Sequence, residues 1–150
     1  MITLPAMMAY AGHERSLMWS DYLLAGLMII LVVIETTADQ QQWNYQNEKH
    51  RKIKAGERLT GDYADGFINT GLWKTVRHPN YASEQSIWVV FYLFSVSATG
   101  SWINWTMAGC LLLMVLFQGS ADFSEGISMG KYPAYADYKK RAGRFIPKLF

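Results

Sequence analysis

From Gln85 to Ala121 the chain carries no charged residue and no histidine, a run of 37 positions. One membrane crossing takes roughly 20 apolar residues, so the run is too long for one span and suits a tight pair. The break falls at "SATGSW", where Gly100 and Ser101 favour a turn and Trp102 and Trp105 suit a membrane–water boundary. The pattern predicts one helix over 85–98 and the next over 102–120. Neither has the polar face of a helix in a soluble bundle. An earlier apolar run predicts a span over about 17–34, with Trp19 and Asp21 near its outer end and Glu35 closing it. Helical patterning continues beyond it, because "ETTADQQQWNYQNEKHRKIKAG" has no Pro or Gly before Gly56. Glu35, Asp39 and Trp43 recur at i, i+4 and i+8, on one helix face. The expected fold is therefore all-α: a single integral membrane domain of three to four transmembrane helices, with a polar loop over 35–84 and a tail over 122–150.

Turn chemistry divides the polar segments. Gly56, Gly61, Gly66 and Gly71 recur five apart, a period with no matching repeat architecture, so irregular backbone is expected there. Pro79 pushes His78 toward extended backbone and lets a helix begin, with Asn80 as a candidate side-chain cap. In the tail, Pro133 suits a first helical turn, Lys139, Lys140 and Arg141 suit a last one, and Gly143 suits the C-cap. Tyr132, Tyr135 and Tyr138 then fall roughly on one face.

Composition agrees with the pattern. In 150 residues, 51% are apolar and only 17% charged, which is the balance of a membrane protein. A net charge of +2 with no basic stripe gives no footing for nucleic acid. Cys110 stands alone, so no disulfide or thiolate metal site can be built. The opening "MITLPAMMAY" has neither a basic n-region nor a cleavage pattern, so no clear signal peptide is read there. Charge also orients the chain. Arg15 is the one basic residue before the first span; seven Lys and Arg lie between Glu35 and Glu84, and six follow Ala121. The positive-inside rule puts the loop and the tail on one side, cytosolic or matrix-like, and the amino terminus and the Gly100 turn on the other.

The chemistry-bearing residues gather beside the spans: Glu35, Asp39, Arg77, His78, Asn80, Tyr81, Glu84, Glu125 and the tail tyrosines. Ionisable groups at the end of a span are costly unless paired or wet, so they raise a site hypothesis. Arg and Lys can hold a phosphorylated cofactor, and Asn80 and the acids can accept hydrogen bonds from an amide or a ribose. The structural alternative stays open: Arg77 facing lipid phosphates, Asn80 only capping, the tyrosines only anchoring at the interface. His13 and His50 stand alone in polar surroundings, and no spacing suggests a metal site. No Gly-rich phosphate loop follows a strand, and no nucleophile elbow is present.

The order "ETTADQQQW", "GFINTGLWKTVRHPNYASE", an apolar hairpin, "SADFSE" and "YPAYADYKKRAGRFIP" resembles the steroid 5-alpha-reductase C-terminal domain family, in its bacterial-type branch, from about Leu4 onward. The resemblance implies a multi-spanning reductase that uses NADPH on a carbon–carbon double bond conjugated to a carbonyl, often in a steroid or other lipid. It implies that Asp39, Asn80, Tyr81 and Glu84 lie at the cofactor, with Arg77 and a tail tyrosine, Tyr135 or Tyr138, beside it. His78 and Glu125 complete the candidate cofactor-binding set, and no catalytic residue is assigned. Two departures stand out. Ala82-Ser83 precede Glu84 where the family carries Gly just before the acid. The family also has further spans before the matched region, and these hold most of the groups that polarise the substrate carbonyl. A fragment, a truncated product and a structural subunit of a membrane assembly are all consistent with this.

Isoprenylcysteine and phospholipid methyltransferases, which bind S-adenosylmethionine, share the R-H-P turn, the hairpin, an acid and a Tyr-x-x-Tyr tail. The A-D-x-Q element at Ala38–Gln41 and Asn80 favour the reductase. The expectation is thus a membrane NADPH-dependent reductase-like protein acting on an enone lipid, with an accessory membrane subunit and a methyltransferase as alternatives. Its partners would be membrane lipids, a steroid-like small molecule and other membrane subunits. The endoplasmic reticulum, the bacterial inner membrane and the mitochondrial inner membrane all fit.

Overall fold

The computed structural model describes residues 6, 7, 10 and 16–148. Leu4, His13 and Arg15, which entered the reading above, lie outside the described residues. The named helices are α1 (Trp19–Lys54), α2 (Asp62–Asp65), α3 (Pro79–Thr99), α4 (Thr106–Lys131) and α5 (Tyr135–Arg141), with a 3-10 turn at Gly71–Lys74. Among the described residues there is no strand, only an isolated parallel bridge between Val76 and Gly143. The all-α expectation holds.

Helix α1 has 36 residues, about 54 Å at 1.5 Å per residue, well beyond the ~30 Å of a bilayer core. It is apolar at the start and polar at the end, as the unbroken run through Glu35 predicts. Asp21 accepts the Met18 amide at 2.8 Å and satisfies an orphan donor of the first turn. Arg51, Lys52 and Lys54 occupy the last turn, where the macrodipole favours cations. Helices α1 and α4 are long and apolar enough to cross a membrane. Only 6% and 17% of their apolar windows are buried, so they are not the covered core helices of a soluble bundle.

Several boundaries differ from the sequence reading. Helix α4 starts at Thr106 rather than Trp102, because Asn104 Oδ1 accepts the Thr106 amide at 3.0 Å and begins the helix there. It runs on to Lys131 rather than stopping at Ser120, so Glu125 sits on a helix and not in a loose tail. Helix α3 begins at Pro79, where the turn chemistry allowed a helix to start, and runs on without a break through the apolar stretch expected over 85–98. Asn80 does not cap it through its oxygen: Nδ2 is donated to Asp39 Oδ1 at 3.0 Å, and Oδ1 has no partner. The cap of α5 is Ala142 in extended backbone, not Gly143. Gly143 instead donates its amide to Thr75 O at 2.9 Å and accepts from the Arg77 amide at 2.8 Å.

The chain divides into two compact units. One holds the residues up to Val33 together with Ser83–Gly119. Within it Ser97 donates to Asp21 Oδ1 at 2.7 Å, tying α3 to the start of α1. Ser95, fully buried, shares a hydrogen bond with Thr106 at 2.9 Å across the hairpin. Glu84 belongs to this unit and is half-buried on α3. The other unit holds Ile34–Ala82 and the chain from Ser120 onward, so it joins the polar loop to the tail. Its aromatic core has two clusters: Tyr45, Ile68 and Trp73, and Phe67, Tyr135, Tyr138 and Ala142.

Candidate functional site

The loop-and-tail unit builds its site on residues 73–81. Trp73 donates its indole N–H to Ala38 O at 3.1 Å, which pins the 3-10 turn to α1. The amides of Arg77 and His78 donate to Gly143 O and Arg144 O at 2.8 and 3.1 Å, so the R-H-P turn lies along the end of the tail. Tyr138 closes the same junction by donating its hydroxyl to Trp73 O.

Arg77 is the hub. It is buried, and its Nε donates to Glu125 Oε1 at 2.9 Å. Its Nη1 donates to Lys139 O at 3.1 Å and to Ala142 O. Glu125 is 1% exposed, which only works because cations surround it. Lys139 Nζ reaches its Oε2 at 2.9 Å, and Arg144 Nε its Oε1 at 3.3 Å. His78 Nε2 lies 3.3 Å from the same Oε1. A carboxylate can only accept, so this nitrogen carries the proton and donates it to Glu125. Burial pushes the His78 pKa below its ordinary value, more than the neighbouring Glu125 lifts it. The imidazole is therefore neutral near pH 7, stacked on Tyr81 with centroids 5.2 Å apart.

The three tail tyrosines all pack on Phe67, with centroid distances of 5.8, 5.0 and 5.1 Å for Tyr132, Tyr135 and Tyr138. Tyr135 and Tyr138 are buried, so they are not interfacial anchors. Burial raises the Tyr135 pKa to about 12 and moves Tyr138 up as well, so both keep their protons. Gly66 permits this packing. Its φ is +91°, and a Cβ there would run into the Tyr132 ring.

A cavity of about 500 Å³ opens among these groups, within the range of ligand pockets. Of the sequence-derived set, Arg77, His78, Asn80, Tyr81, Tyr135 and Tyr138 line it. Asp39 and Glu125 stand behind the lining: Asp39 is exposed and holds the Asn80 amide, and Glu125 holds Arg77. The cavity's charged lining is Arg77 and Lys131, with no carboxylate. Two buried oxygens, Gln42 Oε1 and Asn80 Oδ1, belong to residues that line the cavity and have no hydrogen-bond partner. An unmet buried acceptor costs about 1–3 kcal/mol, so a ligand donor is the natural complement.

Sequence reasoning missed Gln42, Lys131 and the α4 wall. The signal was present as periodicity. Gln42 and Gln46 follow Asp39 at i+3 and i+7, and Ser124, Ile127, Ser128 and Lys131 repeat at helical spacing. The expected end of the helix at Ser120 hid the second stripe. Among the described residues no group of three or more His, Cys, Asp or Glu is arranged to hold a metal ion.

The chain is 40% identical over 145 residues to a protein of Schizosaccharomyces pombe designated "Uncharacterized protein C594.04c". The match covers 93% of this chain but 42% of that relative, so the chain spans less than half of its length. No solved structure matches. The family described as "Protein of unknown function (DUF1295)" matches residues 1–142, and the chain belongs to it.

Proposed function

We propose that the loop-and-tail unit is the cofactor-binding part of a membrane NADPH-dependent reductase, acting on a double bond conjugated to a carbonyl in a lipid or steroid-like molecule. The observation that carries this reading is the cavity's make-up: two lining cations, no lining carboxylate, and two buried amide oxygens without donors. A dinucleotide phosphate brings what that lining lacks, namely an anion for the uncompensated Lys131 and ribose hydroxyl or amide N–H donors for Gln42 and Asn80. The aromatic walls, Phe67, Trp73 and the tyrosines, suit flat rings. When bound, NADPH supplies the hydride that reduces the β-carbon. The chain's own residues bind and orient. Asp39 fixes the Asn80 amide so that its oxygen is the group left to accept. Glu125 fixes Arg77, and neutral Tyr135 offers a hydroxyl rather than a phenolate.

Insertion of α1 and α4 in a bilayer fits their exposed apolar windows. The property expected of these residues is cofactor binding. S-adenosylmethionine is the rival ligand. Its positively charged sulfonium is poorly matched to a cavity with an uncompensated Lys131 and no carboxylate in its lining.

Saturation binding to the purified chain in detergent or nanodiscs tests the reading. NADPH is expected to bind, and Asn80→Ala to weaken it about tenfold. Preference for S-adenosylmethionine would move the site to methyl transfer, and binding of neither would leave a structural subunit.

A further inference from the structure

Resting on that reading, we infer that Lys131 is the residue that reads the cofactor's 2′-phosphate and sets a preference for NADPH over NADH. The two cations of the cavity lining are not equivalent. Arg77 is 6% exposed, its charge is met by Glu125, and its Nε and Nη1 are held by that carboxylate and by the carbonyls of Lys139 and Ala142. A guanidinium so compensated contributes less to telling apart two ligands that differ by one anion. Lys131 is the opposite case. It is the last residue of α4, it is exposed, and it takes part in none of the ion pairs among the described residues. Its ammonium lies 5.3 Å from the centre of the Tyr132 ring, a contact that a phosphate can replace.

The surroundings reinforce it. Lys49 Nζ also lies 5.3 Å from the centre of the Tyr132 ring and donates to Gly66 O at 2.6 Å. Two ammonium groups thus flank one aromatic ring at the cavity, and no carboxylate lines that cavity. NADPH and NADH differ by one phosphate monoester. The cation that distinguishes them must be uncompensated and free to form a charge-assisted hydrogen bond, and Lys131 meets both conditions. The ordinary role of a lysine at a helix C-terminus is to complement the macrodipole. That role affects the stability of the unit and leaves the ratio of the two affinities alone.

The test is direct titration of NADPH and NADH into the purified chain and its variants, with a thermal melt of each. Lys131→Gln is expected to weaken NADPH at least about tenfold while NADH changes by less than about twofold. Lys131→Arg keeps the ratio of the parent chain. The salt dependence of NADPH binding becomes shallower in Lys131→Gln, since one phosphate contact is lost. If Lys131→Gln weakens both nucleotides equally, or neither, the inference is overturned while the cofactor reading stands. If the parent chain binds neither nucleotide, the cofactor reading falls and this inference falls with it.

Discussion

At the scale of single residues, the unpartnered oxygens of Gln42 and Asn80 are where a binding site and a packing accident predict different outcomes. A packing accident would be relieved at no cost to function. Gln42→Met, close in volume and without the orphan acceptor, is expected to raise stability by about 1 kcal/mol and to weaken NADPH binding. Chemical denaturation and ligand titration of the same preparation read the two effects. A gain in stability with unchanged binding would mean that Gln42 does not serve a ligand. His78 gives a pH dependence. Its folded pKa is depressed by burial, so below the ordinary histidine value of about 6.5 the unfolded chain binds the proton that the folded chain refuses. Stability therefore rises with pH from the depressed pKa up to about 6.5 and is flat beyond for this group. Denaturation midpoints from pH 5 to 8 are expected to show that slope, and His78→Gln to reduce it. An equal slope in the variant would remove His78 as its source.

At the scale of elements, the tail is held by ions and aromatics rather than by a helix of its own strength. Helix α5 has seven residues and would not persist alone. Its attachments are the Glu125 cluster, the Phe67 packing and the backbone pairing of Arg77 and His78 with Gly143 and Arg144. Glu125→Gln leaves Arg77 buried without its counter-charge, and about 3 kcal/mol or more of stability is expected to go. Limited proteolysis checks this: cleavage within 135–148 should speed up, and unchanged protection would contradict the cluster's role. Gly66→Ala combines a left-handed backbone with a collision at Tyr132, so a loss above about 1 kcal/mol is expected in the same unit by denaturation. The helices themselves were legible in the sequence because long uncharged apolar runs, and the Pro- and Gly-free stretch from Glu35 to Ala55, leave few alternatives. Their ends were not. Asn104 accepts the Thr106 amide and so sets the start of α4 at Thr106 rather than Trp102, and Asn80 serves Asp39 rather than its own helix, because side-chain oxygens choose among several nearby amides once the fold exists.

At the scale of the whole molecule, the motif residues Arg77, His78, Asn80, Tyr81, Tyr135 and Tyr138 stood out in the sequence as one constellation, and they line one cavity. Which of the motif residues line the cavity and which hold the others was not legible. Asp39 and Glu125 are acids of the same motif set, yet both act on neighbouring side chains. Such a division depends on burial, which spacing along the chain does not encode. The central claim is that the cavity beside Arg77 is a nicotinamide dinucleotide site. The most direct measurement is an experimental structure of the chain, prepared in lipid nanodiscs with saturating NADPH. The account predicts density for the dinucleotide in the cavity, with hydrogen bonds to Asn80 Oδ1 and Gln42 Oε1 and a phosphate at Lys131. An empty cavity at saturation, or density for the nucleotide elsewhere on the chain, would contradict it.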